Sequence, residues 1–104
     1  MSGFEVCIQG DGRVVVLGEV DMATAPELSE AIESLISTGA QRVVVDAAGV
    51  TFMDSTGLNA LCLGQAKLEA QGGVLVLGAV SRQVETVLHA TGLESMFVRE
   101  SPAA

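Results

Sequence analysis

Phe52-Met53-Asp54-Ser55-Thr56-Gly57-Leu58 is the stretch of this chain whose residue types and spacing can do chemistry. It follows a valine-rich run, Val43-Val44-Val45-Asp46, that reads as a strand, and it precedes an apolar segment that reads as a helix. Ser55 is therefore expected at a helix N-terminus, where unpaired backbone N–H groups and the positive end of the helix dipole favour anions. A hydroxyl placed there is suited to carrying a phosphate, which adds roughly −1.5 to −2 of charge. Serine at a helix start is more often a simple N-cap, and spacing alone favours that role.

Catalytic uses of the same residues fail one by one. A hydrolase elbow needs G-x-S-x-G with a nearby histidine and acid, but Ser55 sits in Met53-Asp54-Ser55-Thr56-Gly57 and His89, the one histidine, falls on the polar side of another predicted helix. An aspartic protease needs Asp directly before Thr-Gly, and Ser55 intervenes. A phospho-accepting receiver on Asp46 would need an acidic pair, which Glu19 and Asp21 supply, and a lysine at a later strand end, where Gly78-Ala79-Val80 has none. No glycine-rich nucleotide cradle occurs. Cys7 and Cys62 with one histidine cannot build a usual zinc site. The chain is not expected to be an enzyme, and no metal or cofactor is expected.

Composition bounds the rest. The 104 residues are 49% hydrophobic and 17% charged, which argues for one folded domain over 1–104, with loose tails at 1–3 and 101–104. Three phenylalanines are the only aromatics, so the core must be aliphatic, as suits a layered α/β fold. A net charge of −8 disfavours nucleic acid and anionic membranes as partners and suits a basic protein surface. The sequence leads us to expect no secretory leader, no membrane-spanning run and a cytoplasmic location. Cys62 reads as a small core hydrophobe and Cys7 as partly exposed.

The elements that must position Ser55 are legible as patterns. Phe4, Val6 and Ile8 alternate with Glu5, Cys7 and Gln9; a Gly10-Asp11-Gly12 turn and Val14 to Leu17 complete an antiparallel hairpin. Thr24-Ala25-Pro26-Glu27 has the form of a capping box, and Leu28, Ala31, Ile32, Leu35 and Ile36 keep helical spacing up to Gly39. Arg42 to Asp46 is a short strand and 47–54 a connection. A second helix runs from about Ser55 to Ala70 with Leu58, Leu61, Cys62 and Leu68 on one side. Leu63, Ala66 and Ala70 widen its apolar arc, so it is either covered on more than one side or shows apolar surface to a partner. Val74 to Leu77 is a strand, Ser81 caps a helix bearing Val84, Val87 and Leu88, and Phe97-Val98 is a last edge strand. Met22, Met53 and Met96 read as core filler, with Met53 a candidate exception. The order ββαβαβαβ predicts a mostly parallel central sheet with the N-terminal hairpin at its edge and helices packed on it.

Asp46 to Leu58 resembles the signature of the STAS domain family, and more narrowly the bacterial anti-sigma factor antagonists. Gly18-Glu19-Val20-Asp21 is similar to the family's G-E-[LV]-D after its second strand, and Thr91-Gly92-Leu93 to its closing T/S-G-L element. The resemblance covers essentially the whole chain. It implies a STAS-like fold and a switch. The unphosphorylated antagonist binds an anti-sigma factor that is also a GHKL-type serine kinase, which frees a sigma factor. Phosphorylation of the first serine after the motif's aspartate, here Ser55, releases the antagonist, and a PPM-type phosphatase restores it. Glu19, Asp21, Met53, Asp54, Ser55, Thr56, Gly57, Leu58 and Asn59 are the implied partner-binding residues. Asn59 stands where many relatives have glycine, and Ala48-Gly49 replaces a more polar pair. The other role the resemblance allows is a constitutive adaptor in a lipid-transport or stress-sensing complex; the complete D-S-T-G-L favours the switch.

Overall fold

The alternation at the N-terminus forms the strand it predicts. β1 (Phe4–Gln9) pairs antiparallel with β2 (Arg13–Val20), with Val6 opposite Val16 and Ile8 opposite Val14. The structure is a computed structural model that describes residues 3–10 and 12–100. Asp11 of the expected turn, and 1–2 and 101–104 of the expected tails, lie outside the described residues. The chain continues through α1 (Ala25–Ser37), β3 (Arg42–Met53), α2 (Ser55–Ala70), β4 (Val74–Val80), α3 (Arg82–Thr91), a 3₁₀ turn (Glu94–Met96) and β5 (Val98–Arg99). The strands lie in sequence order, β1-β2-β3-β4-β5, and every pairing after the hairpin is parallel. The expected α/β architecture is the one observed.

Two local expectations are corrected. The third strand does not end at Asp46 but runs 12 residues to Met53, through much of the segment expected to be a connection. Its register against both neighbours shifts around Ala47 to Gly49, where the Asp46 carboxylate accepts from the Ala48 N–H at 3.1 Å. Small residues and a bulge break the alternation that would have marked the strand in sequence. The Thr24–Glu27 capping box does not form either: Thr24 has helical dihedrals and its side chain makes no cap bond. Its hydroxyl instead donates to the Glu19 carbonyl at 2.8 Å, and Asp21 Oδ1 accepts from the N–H groups of Ala23 and Thr24. A helical turn already starts at Asp21, whose carbonyl accepts from the Ala25 N–H at 2.7 Å, so Thr24 is inside it. At the other end Gly39, at φ +91°, closes α1 as expected, since a left-handed residue lets the Gly39 and Ala40 N–H groups reach Ile36 and Leu35.

All three helices pack into one cluster on one face of the sheet. Leu28, Ile32 and Ile36 of α1, Leu58, Leu61 and Leu68 of α2, and Val84 and Leu88 of α3 meet Val14, Val16, Val20, Val43, Val45, Val50, Leu75 and Leu77. The alternate residues point to the opposite face, which has no helix among the described residues. There Val44 and Val76 are nonetheless buried, beneath an ion cluster. Arg13 bonds Glu100 at 2.7 Å and approaches Asp46 at 3.9 Å, and both the Arg13 and Glu100 side chains lie over Gly78 of β4. The edge of β4 is sealed another way. The Leu75 N–H donates to Gln65 Oε1 at 2.9 Å, and Gln65 is the one buried polar side chain among the described residues. Gln65→Leu should leave that N–H unpaired and cost about 1–3 kcal/mol in urea denaturation, with activity-independent loss of midpoint.

Candidate functional site

The site is built at the carboxyl ends of β2 and β3, where the chain turns into α1 and α2. The Asp54 N–H donates to the Val20 carbonyl at 3.3 Å, which ties the start of α2 to the end of β2. Asp54, not Ser55, is the N-cap. Its Oδ1 accepts from the Thr56 N–H at 2.9 Å and the Gly57 N–H at 3.4 Å, and the Thr56 hydroxyl donates to the same oxygen in a short contact. A carboxylate with extended backbone outcompetes the serine because its oxygen reaches both second- and third-residue donors.

This arrangement sets the electrostatics. The Thr56 hydroxyl holds the Asp54 carboxyl below its usual range; desolvation opposes this, and the two backbone N–H bonds add to it. Because the folded-state value is depressed, the cap's contribution to stability is complete above the unfolded carboxylate pKa of about 4 and is lost as pH falls through the lower folded value. The stability difference between the wild type and Asp54→Asn should therefore be flat from pH 7 to 5 and shrink only below about pH 4, measured by urea denaturation at each pH.

The nine residues expected at the contact surface divide by burial. Ser55 and Asn59 are exposed, and Glu19, Asp21, Asp54 and Thr56 are half-buried. Met53 and Leu58 are each 3% exposed and belong to the core, and Gly57 is buried beside them. These three lie beneath the surface that Ser55 and Asn59 present. Glu19 pairs with Phe52 on the helix-free face, away from the start of α2, while the Asp21 carboxylate is turned into its own loop. Ser55, the first residue of α2, makes no side-chain hydrogen bond among the described residues.

The sequence reading missed the groove beside Ser55. Met22, 78% exposed, and Leu63, 53% exposed, flank a shallow depression of about 200 Å³ between α1 and α2. Thr56, Asn59, Ala60 and Pro26 line its floor and rim. The wide apolar arc of α2 was its signal: Leu63 lies on the surface-facing part of that arc. Met22 and Met96 are exposed and not core filler, whereas Met53 is. A wider hollow of about 490 Å³ lies by Gln9, Gly12, Arg13 and Arg42, but Arg13 there is already neutralised by Glu100 and Asp46. His89 is exposed and bonds Glu94 at 3.1 Å. Burial pushes the Cys62 thiol up, and its sulfur lies 3.7 Å from that of Met96. Among the described residues no acid, thiol or imidazole group clusters as a metal site would need, and no helix is long and apolar enough to cross a membrane.

Residues 7–99 match the family profile described as Mlab, STAS domain. The chain belongs to the STAS domain family. It is 38% identical over 87 residues to the anti-sigma-B factor antagonist of Staphylococcus epidermidis, covering 82% of this chain and 79% of that one. It is 33% identical over 82 residues to the anti-sigma-F factor antagonist RsfB of Mycobacterium tuberculosis, covering 77% of this chain. That match spans only 65% of the length of RsfB. Among solved structures, an anti-sigma factor antagonist from Mycobacterium paratuberculosis superposes with a TM-score of 0.79 at 29% identity, over 98% of this chain and 87% of the other. Bacillus SpoIIAA in its phosphorylated form has the same fold, with a TM-score of 0.68 at 24% identity over 95% of this STAS chain and 92% of that one.

Proposed function

We propose that this STAS protein is an anti-sigma factor antagonist whose unphosphorylated form binds an anti-sigma factor with GHKL-type serine kinase activity and so frees a sigma factor. Phosphorylation of Ser55 ends the complex and a PPM-type phosphatase restores it. One observation carries the choice of residue. Of the two adjacent hydroxyls, that of Thr56 is half-buried and bound to Asp54, while that of Ser55 is exposed and unbound. A kinase that must seat the acceptor oxygen in its own active site can reach only the second.

The same geometry supports release by charge. A phosphate on Ser55 lies at the helix N-terminus, which favours it through the dipole. Yet the Thr56 and Gly57 N–H groups already serve Asp54, so the new charge gains few donors within the chain and stands beside a carboxylate. Within a complex that desolvates this corner, it is uncompensated. The contact surface comprises Asp54, Ser55, Thr56 and Asn59 with the Met22–Leu63 groove next to them, where Met22 and Leu63 are exposed apolar side chains.

The test is phosphopeptide mass spectrometry after incubating the pure protein with ATP and cytosol from its source. Phosphate is expected on Ser55, absent from Thr56, and lost in Ser55→Ala. An unmodified Ser55 in cytosol that phosphorylates a control substrate would favour the constitutive adaptor.

A further inference from the structure

Ser55 and Thr56 are adjacent hydroxyls after the same aspartate, and the fold treats them unequally. Asp54 Oδ1 accepts from the Thr56 N–H at 2.9 Å, from the Gly57 N–H at 3.4 Å and from the Thr56 hydroxyl itself. The carboxylate has little freedom to leave. Its backbone is extended, and its N–H is tied to the Val20 carbonyl at 3.3 Å, so it stands over the first turn of α2. Threonine in a helix divides between two χ1 wells, and the bond to Asp54 selects one of them. Burial alone does not withhold this hydroxyl. Thr56 is only half-buried, and it lines the groove beside Met22 and Asn59.

We infer that Asp54 is the specificity-determining residue of the phosphorylation: its bond to the Thr56 hydroxyl withholds that oxygen and leaves Ser55 as the acceptor. This rests on Ser55 being phosphorylated at all. To accept a phosphoryl group, a hydroxyl oxygen must turn a lone pair in line with the γ-phosphorus of ATP. It loses its proton as the new O–P bond forms and the bond to ADP breaks. The bond to Asp54 opposes this in two ways. It holds the Thr56 oxygen in the rotamer that faces the carboxylate, and it keeps a negative charge against the oxygen where the γ-phosphate would have to approach. Nor does the carboxylate activate the hydroxyl as a base. The same bond holds the Asp54 carboxyl below its usual range, and so weak a base takes up a proton poorly. Ser55 lies beside the same charge but is exposed and unbound, so its oxygen can swing into a kinase active site.

The test maps phosphate by peptide mass spectrometry after full-length variants, each folded by circular dichroism, are incubated with ATP and cytosol from the protein's source. Asp54→Gly removes the acceptor oxygen and leaves a tolerated N-cap residue. Its Thr56 phosphate should exceed that of the wild type on the order of 10- to 100-fold, the weight of a hydrogen bond to a charged group. Asp54→Gly combined with Ser55→Ala should carry phosphate on Thr56, where Ser55→Ala alone carries none. Asp54→Asn keeps an oxygen for the hydroxyl and should stay confined to Ser55. So should Gly57→Ala, whose Cβ would disturb the same turn, 2.7 Å from Val20 Cγ1, while both partners of the bond remain. Phosphate on Ser55 of the wild type, with none on Thr56 in either Asp54→Gly protein, overturns the inference and leaves Ser55 as the acceptor. Thr56 phosphate as abundant in Asp54→Asn or Gly57→Ala as in Asp54→Gly overturns it too, because the bond would then not decide. A wild type unmodified at Ser55, in cytosol that phosphorylates a control substrate, overturns the choice of acceptor and the inference together.

Discussion

Ser55→Asp is expected to leave this STAS domain folded and to abolish its complex with an anti-sigma factor. The residue is exposed, and its side chain holds nothing in place, so unfolding should shift by no more than the ~0.5 kcal/mol usual for surface changes. The attraction of an acid for the helix N-terminus and its repulsion by Asp54 act in opposite directions on that small term. Binding is a different matter. In a closed interface the added carboxylate is buried without a partner, which costs about 3–5 kcal/mol and raises Kd by two to four decades. Ser55→Asn keeps the size and removes the charge, and it should bind within about threefold of the wild type. Titration calorimetry of both variants against the purified anti-sigma factor separates the two causes. Equal loss in both would mean that shape and not charge governs release.

Gly57→Ala should be destabilising although alanine is the better helix former by about 1 kcal/mol. A Cβ at this position would lie 2.7 Å from Val20 Cγ1 and 2.8 Å from Met53 Cγ, both buried side chains at the ends of β2 and β3. The glycine of the D-S-T-G-L motif is therefore what lets the first turn of α2 sit down on the sheet. Relieving the overlap means lifting that turn or repacking Val20 and Met53, at about 1–3 kcal/mol. Lifting it also loosens the Asp54 N–H bond to the Val20 carbonyl and re-aims Ser55. The expected result is a lower urea midpoint together with at least a severalfold loss of phosphorylation rate at Ser55 under conditions where the variant is folded. A Gly57→Ala protein as stable as the wild type would show that the turn has room the packing does not suggest.

The sequence by itself determined the elements and the order in which they must lie. Period-two alternation in Phe4 to Gln9, the helical stripes of Leu28 to Ile36 and Val84 to Leu88, and glycines at the helix ends each specify a local hydrogen-bonding pattern and the side that must be buried. With strand and helix alternating, a parallel sheet follows from connectivity. The D-S-T-G-L motif likewise placed a helix start after a strand end. What only the tertiary structure decided was the outcome of competitions among neighbouring groups. Asp54 takes the cap that Ser55 might have filled because the end of β2 fixes its backbone. Thr24 makes no cap bond because the turn begun at Asp21 already holds it in a helical conformation. β3 extends to Met53 because Val20 and Gly18 lie alongside to pair with it, despite a bulge that erases its alternation. Met53 and Leu58 go inside while Met22 and Leu63 stay out, since a hydrophobic residue is buried only where another element covers it, and α1 and α2 leave a groove between them at that point. Pattern along a chain fixes what each residue can do; which of several able residues does it depends on what the fold brings within a few ångströms.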